Sequence, residues 1–543
     1  MHSTPSKKLK KLWRGIKTAQ TGEVKQDLGS VLASMDKGYV NIAAQCHDHV
    51  MYLAEASAKK FYTDLNYNFE LGGLVGKYYD LDASAGGHDA YNVEVEALGG
   101  KLIYGENSMP TIDFRQPLIK NHEDLEKLKN KKIDFLNAGR FPMILSASGG
   151  MVGGNIIFCS PFSLAVGLMG FPKLIRAMRK DPKLYDGVMS FVVDDVLAPW
   201  IMVQNKKIGH LMGIGADAWA SVPNLSPKEM MDWIVPYNQR LEKKCKEFGV
   251  MAMNVTGDYC EERIEKFDPK ILHDSFDVEV ASVGGNPAIF LAMGRWHEYP
   301  LEAVRTYTEK FRKEGKSVSV TAGINARLLR DGPVEKIVDN VKRFIDAFGR
   351  DHSLSIFLSN VPADAPSEHI HAAVAATHTY GKYPIADNLD DVEIKIPTKK
   401  SFKEWRIENE PIIKAKEKEE AKEERCGLAG LLWQQMGKVN QNNKFKEDYA
   451  DAKMSFLYNL TDQRYSALIT IENGTLDVKH IENKGNAIEN IEADASIACS
   501  ASLFFDFTGG KISKVGMLIK MLTGKLKVKG AKKMKELAKI MAY

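Results

Sequence analysis

Missing from this chain is any apolar run of about eighteen residues, so no segment is expected to span a membrane. The basic opening stretch, MHSTPSKKLKKLWRGIKTAQ, lacks the apolar core of a signal peptide. Cysteine is sparse: six residues, Cys46, Cys159, Cys245, Cys260, Cys426 and Cys499, are scattered with no CxxC pair. That spacing argues against a disulfide framework and for a reducing, cytoplasmic interior. A strong charge of either sign is also lacking, and a net charge of +4 over 543 residues argues against nucleic acid as the main partner. Residues 146–155, SASGGMVGGN, are rich in glycine but have neither GxGxxG spacing nor a GK[ST] ending, so a loop with close backbone approach is expected instead of a nucleotide cradle.

What is present is the composition of a globular protein, 44% hydrophobic and 27% charged, at a length that implies more than one core. The stretch from Phe158 to Ala198 is the clearest organiser. Leu164, Leu168, Met169, Leu174, Ile175 and Met178 recur at helical spacing, and after Asp181-Pro182 the pattern resumes at Val188, Phe191, Val192 and Val196. Upstream, VNIAAQCHDH reads as a strand ending in a polar cluster, and alternation would put His47 and His49 on one face. Such a pair can ligate a metal, but no third ligand is fixed by spacing, and a metal-free role in the site is the other reading. Further strands are expected at VMAMNVT, NPAIFLAM, SVSVTA and LSIFLS, each followed by a helical segment.

Strands alternating with helices from residue 39 to 385 imply a parallel sheet, most economically closed as a (β/α)8 TIM barrel. Barrel chemistry gathers at the C-terminal ends of the strands. That rule nominates His47, His49, Asn254, Thr256, Asp258, His297, Asn325 and Asn360, with Asp89 facing the cleft or serving a turn. For His369 and His371, on a helical segment, packing or capping is expected.

The wording of several segments adds a family resemblance. PFSLAVGLMGFPKLIRAMRKDP, EALGGKLIYGENSMPTIDFRQPLIKNHEDLEKL, Gly215-Ala216-Asp217, GINARLLRDGPVEKIVDNVKRFIDAFG and VPADAPSEHIHAAVAATHTYG follow one another as similar segments do in the uroporphyrinogen decarboxylase superfamily. This resemblance covers about residues 39–385 and implies a barrel enzyme of one of two branches. Decarboxylases of that family hold a polycarboxylate with arginines of an N-terminal motif, where this chain reads CHDHVMYLAEASAKK, without arginine. Cobalamin-dependent methyltransferases of the superfamily bind zinc through a strand-end HxCG and a later cysteine, where this chain has Asn254-Val255-Thr256-Gly257 and Ser359-Asn360. No zinc of that type is therefore expected. The resemblance implies, first, a demethylase passing a methyl group from a small apolar or aromatic substrate to a corrinoid (cobalamin) on a partner protein, with His47, His49 or His297 as acid. The alternative is decarboxylation of a porphyrinogen or related substrate, with Asp217 or Asp89 in an electrostatic role.

Residues 1–38 read as a basic arm, with Lys7, Lys8, Lys10 and Lys11 on a solvated face, and 386–426 as a charged linker helix ending in KEKEEAKEER. Residues 427–543 change character. Three strand segments, a hairpin at Asn473-Gly474 and a lysine-rich end follow. Asp506, Gly509, Gly510, Gly524, Lys525, Lys527 and Gly530 match the spacing of the sterol carrier protein type two domain, so a smaller α+β domain with a hydrophobic ligand is implied. Phe504, Phe505, Leu518, Met521 and Met541 would line its lipid tunnel or else pack its core. Ten lysines between Lys511 and Lys539 stand against the single acid Glu536, which fits a soluble face, an anionic membrane surface, an acidic partner or an anionic head group. A third reading is a protein that only binds lipid, the barrel having lost its activity.

Overall fold

A computed structural model describes residues 38–541 and 543 except 84, 107, 147–154, 285–287, 317, 420–424, 485, 486, 489, 510 and 542. The basic arm, most of the glycine-rich 146–155 segment and the end of the charged linker lie outside the described residues. Seven strands organise the larger part of the chain: β1 Asn41–Ala44, β2 Ile156–Cys159, β3 Met212–Asp217, β4 Met251–Thr256, β5 Ala288–Leu291, β6 Ser319–Ala322 and β7 Leu354–Leu358. All pairings among them are parallel, in the order β2-β3-β4 and β1-β7-β6-β5. The first strand lies beside the last, with Asn41 opposite Ser355.

The fold is thus mixed α/β with parallel strands around a common centre, but the expected closed eight-stranded ladder is not formed among the described residues. No hydrogen-bonded pairing joins β1 to β2 or β4 to β5 there. Between β1 and β2 the chain supplies helices, a short hairpin of Leu102–Ile103 with Thr111–Ile112, and the Gly86–Asp89 loop. That loop cannot pair as a strand at Gly87, because its N–H and carbonyl are both taken by the Asn68 side chain, at 2.7 and 2.9 Å.

The helices explain why the strands sit as they do. Helix α1, His47–Leu53, begins immediately after β1, and α2, Leu65–Tyr79, packs Leu71, Leu74, Val75, Tyr78 and Tyr79 inward. Helix α3, Pro161–Met169, is buried on every side, as its apolar run PFSLAVGLM requires. The pattern from Pro182 onward forms Pro182–Phe191, a π-helical Val192–Leu197 and Ala198–Ile208 in succession. Helices α4 Val235–Glu247, α5 Pro269–Ser282 and α6 Val334–Phe348 cover the outside. In α6, Ile337, Val341, Phe344, Ile345 and Phe348 are buried, and each such side chain contributes about 1.5–3 kcal/mol.

The C-terminal part builds a second core. Its five-stranded sheet, β8 Lys453–Leu460, β9 Tyr465–Glu472, β10 Thr475–Glu482, β11 Ala495–Cys499 and β12 Lys527–Lys529, has the order β10-β9-β8-β11-β12. Asn473 and Gly474, both at positive φ (51° and 69°), make the tight turn between β9 and β10. Helices α7 Leu428–Met436, α8 Ala501–Thr508, α9 Lys514–Leu522 and α10 Ala531–Ile540 accompany it. Leu211 and Met212, at the start of β3, belong to this second core. The C-terminal part therefore docks at the N-terminal ends of β3 and β4.

Candidate active site

At the other ends of the strands lies a mostly apolar cavity of about 470 Å³, to which all seven parallel strands contribute. Ala43, Ile157, Val255, Phe290, Thr321 and Phe357 form part of its wall. Its polar lining includes His47, His88, Asp217, Thr256, Glu279, Ser359 and Asn360. No lysine or arginine lines it among the described residues.

Asp217 ends β3 and is 1% exposed. Its Oδ1 accepts the Ser163 N–H at 3.0 Å and the Ser163 hydroxyl at 2.6 Å, while Oδ2 has no partner. Burial pushes its carboxyl up to about 7, and the bonds from Ser163 pull it down only in part. Ser163 stands on α3 because β2 ends at Cys159 and Pro161 starts the helix at its first turn. The result is a carboxyl at the cavity wall that holds a proton near neutrality and has one buried oxygen without a partner.

His47 opens α1, with Nδ1 buried and unpartnered. Burial holds its pKa down to about 4. Its Nε2 lies 3.0 Å from where a Cβ on Gly87 would stand, so a side chain there would press the imidazole out of place by a few tenths of an ångström. His88 follows, lowered to about 3 by burial and then by His47 and Arg140. Both imidazoles are therefore neutral at pH 7, which removes the acid role expected of His47 and leaves it a neutral hydrogen-bonding group. On α5, Glu279 accepts the Phe290 N–H at 2.9 Å through Oε2 and leaves Oε1 unpartnered, and burial raises its pKa well above the usual carboxylate range. Thr256 leaves Oγ1 buried without a partner.

Of the residues nominated from sequence, His47, Asp217, Thr256 and Asn360 meet at this cavity. The others are occupied by the scaffold. His49 does not share a strand face with His47, because β1 stops at Ala44 and both histidines lie in a helix. Its ring nitrogens face the Ala363 carbonyl at 3.0 Å and the Tyr79 hydroxyl at 2.7 Å. Asp89 is locked by Arg140 in a two-point pair of 2.5 and 3.0 Å. Asn254 binds the Ser160 hydroxyl and the Asn238 carbonyl, toward the helical layer. Asp258 accepts the backbone N–H groups of Tyr259, Met293 and Gly294 and the Trp296 indole N–H, which ties the loops after β4 and β5 together. Asn325 caps the Ala326–Asp331 helix and donates to the Gly294 carbonyl. His297 lies outside the cavity, 3.6 Å from Glu298.

Sequence reasoning missed His88 and Glu279. The signal for Glu279 was its place on the buried face of α5 with Leu272, Phe276 and Val278; for His88 it was the Gly86-Gly87 pair that precedes it. Among the described residues no cluster of three or more His, Cys, Asp or Glu side chains is placed to hold a metal ion.

In the C-terminal part, an open groove of about 1500 Å³ is lined by Leu457, Ile488, Ile491, Leu503 and Ile512, with Lys520, Lys525, Lys527 and Lys529. Phe504 packs in the second core against Tyr458, and Phe505 lines a different cavity, of about 410 Å³, at the seam with β3 and β4. Leu518 is half-buried on α9, Met521 packs against the core, and neither lines the groove. Met541, 50% exposed, lines neither cavity.

Comparison with known proteins gives a family match and likenesses to solved structures. Residues 46–380 match the family model of uroporphyrinogen decarboxylase (URO-D). No curated protein matches. Among solved structures, a methyltransferase from Methanosarcina mazei is 16% identical, covers 65% of this chain and 97% of its own, and superposes with a TM-score of 0.47. The stereoselective inverting sec-alkylsulfatase Pisa1 from Pseudomonas sp. is 11% identical over 44% of this chain, with a TM-score of 0.17, and a double mutant of the sec-alkyl sulfatase PisA1 is 12% identical over 45%, also at 0.17. The overlap spans 29% and 32% of those two sulfatases. The family match covers more than half of the chain, in the part that builds the cavity, and on that ground the chain belongs to the uroporphyrinogen decarboxylase family.

Proposed function

We propose that the chain is an enzyme that removes the methyl group from a small, neutral, methylated substrate, such as a methoxylated aromatic compound, and delivers it to a corrinoid carried by a partner protein. One observation carries this reading: Asp217, with its carboxyl near 7 and Oδ2 unpartnered, lines an apolar cavity without a cationic side chain among the described residues. A volume of about 470 Å³ suits a small aromatic molecule and not a macrocycle, so the corrinoid is an external acceptor and no residue is assigned to hold it. The acceptor supplies the electron pair that forms the new bond to the methyl carbon. The carbon–oxygen bond breaks with its pair on oxygen, and Asp217 passes its proton to that oxygen and regains one from solvent. Val255, Phe290 and Phe357 hold the ring, and the unpartnered Thr256 hydroxyl orients a polar substituent. No zinc of the HxCG type enters the scheme, since Asn254 and Thr256 stand at that strand end.

The decarboxylase alternative fares worse at this site. A polycarboxylate would enter a mostly apolar cavity whose lining offers it no guanidinium or ammonium among the described residues. For the C-terminal part, a groove of mixed lining, with Leu457, Ile488, Ile491, Leu503 and Ile512 beside four lysines, supports the sterol-carrier-like reading of an apolar ligand with an anionic head. Anaerobic incubation with cob(I)alamin and a panel of methoxylated aromatics tests the enzymatic reading, with the visible spectrum reporting the methylated corrinoid and chromatography the phenol. Phenol formation that Asp217→Asn abolishes is expected. No phenol from any member, with turnover of a porphyrinogen instead, overturns it.

A further inference from the structure

Helix α9 turns three large apolar side chains to solvent: Val515 is 60% exposed, Ile519 52% and Leu522 69%. Their spacing of four and three residues puts them on one face. Single exposed apolar residues are ordinary, whereas a contiguous stripe on one helix marks an interaction surface. A second observation says what kind of surface it meets. Lys511, Lys520, Lys525, Lys527 and Lys529, on and beside α9, have no carboxylate partner among the described residues, while the more distant Lys533 and Lys539 are paired with Asp494 and Glu536. Four of those unpaired lysines rim the groove bordered by Ile512 and Gly524, at the two ends of the same helix.

An apolar stripe bordered by lysines that outnumber the two acids of the same groove, Glu492 and the Lys246-paired Asp506, has the pattern of an element that lies in the interface of an anionic bilayer. A second copy of the chain would bring two lysine sets face to face, which disfavours self-association through this helix. We propose that α9 docks this protein on the surface of an anionic phospholipid bilayer. Val515, Ile519 and Leu522 enter the acyl boundary, and Lys520, Lys525, Lys527 and Lys529 meet the head groups, so the groove opens beside the lipid. This surface is remote from the Asp217 cavity and independent of the methyl-transfer reading, which stands or falls by its own assay.

Sedimentation of the full chain with phosphatidylcholine vesicles, with and without phosphatidylglycerol, tests it. Binding is expected only with phosphatidylglycerol, weakened by salt and by about fivefold for each of Lys525→Gln and Lys527→Gln. Ile519→Asp with Leu522→Asp abolishes it. These are surface positions, and the circular dichroism spectrum checks that the fold is retained. Ile519→Trp gives a readout of its own: its fluorescence shifts to the blue and is quenched by brominated acyl chains. Failure to bind anionic vesicles, equal binding to neutral ones, unchanged binding by the double aspartate variant, or a dimer in solution that buries the stripe overturns the proposal.

Discussion

Asp217 and His47 illustrate how burial alone can reassign chemistry. Removal from water disfavours the charged form of each, so the carboxyl rises to about 7 while the imidazole falls to about 4. Of these two groups, the aspartic acid and not the histidine carries a proton near neutral pH. The rate profile is expected to fall on the alkaline side with an apparent pKa near 7, with no limb near 6.5 from His47. Asp217→Asn lowers kcat by about 10²–10⁴-fold, while His47→Gln retains the position of the limb; kcat measured from pH 5 to 9 for the three proteins decides it. Stability follows the same group. Its folded pKa lies above its unfolded value, so its contribution is fully present below pH about 4 and is lost as pH rises through about 7. Glu94 and Glu279 are raised as well, so the informative quantity is a difference between proteins. In urea unfolding, Asp217→Asn gains on the parent by about 3 kcal/mol between pH 5 and 8. An unchanged difference would show that Asp217 titrates at an ordinary carboxylate pKa.

The element that delivers His47 and His88 to the cavity is the pairing of α2 with the Gly86–His88 loop. A Cβ on Gly72 would collide with the Gly86 backbone, and Asn68 holds Gly87 at both its N–H and its carbonyl. Gly72→Ala is expected to cost about 1–3 kcal/mol through overpacking against an atom that cannot rotate away. Asn68→Leu leaves two buried backbone groups unpaired, at about 1–3 kcal/mol each. Both variants are expected to raise KM, and thermal unfolding with steady-state kinetics reads the two effects separately. The helical repeat from Leu164 onward and the strand ending at Thr256 were legible in the sequence, because periodicity reports burial directly, whereas Gly215-Ala216-Asp217, recognisable only as a family tripeptide that opens a strand, closes one instead. The site was legible only in part. A strand-end polar residue looks the same in sequence whether it faces a cavity, as Thr256 does, or binds a loop 35 residues away, as Asp258 does at Met293. Asp89 was misplaced because its partner, Arg140, comes 51 residues later, and His49 because a strand was extended across what is the first turn of a helix.

At the scale of the whole molecule, the question is how firmly the C-terminal part holds the barrel-like part, and whether that grip reaches the cavity. Besides the apolar packing of Leu211 and Met212, an ion pair and a buried amide cross the seam. Lys246 and Asp506 form a pair of 2.6 Å, but the side chains are 46% and 27% exposed, and such pairs contribute about 0–1 kcal/mol. Gln463 is buried. Its Nε2 donates to the Phe248 carbonyl at 3.1 Å and its Oε1 accepts from Asn205 at 3.1 Å. Removing it leaves the buried Asn205 amide one acceptor short and takes a donor from the half-buried Phe248 carbonyl, at about 1–3 kcal/mol, so the neutral amide outweighs the ion pair. Gln463→Leu is therefore expected to speed hydrogen exchange at the start of β4, where the Met251 N–H donates to the Leu211 carbonyl, more than Lys246→Ala does. Asp217 lies five residues further along β3 from Met212, about 17 Å away at the rise of a strand, behind a packed layer of side chains. Activity of Gln463→Leu should accordingly remain within about twofold of the parent protein, well below the tenfold loss that 1.4 kcal/mol at the transition state would bring. A parallel loss of kcat would mean instead that the C-terminal part sets the geometry of the cavity through β3, and that the two parts work as one unit.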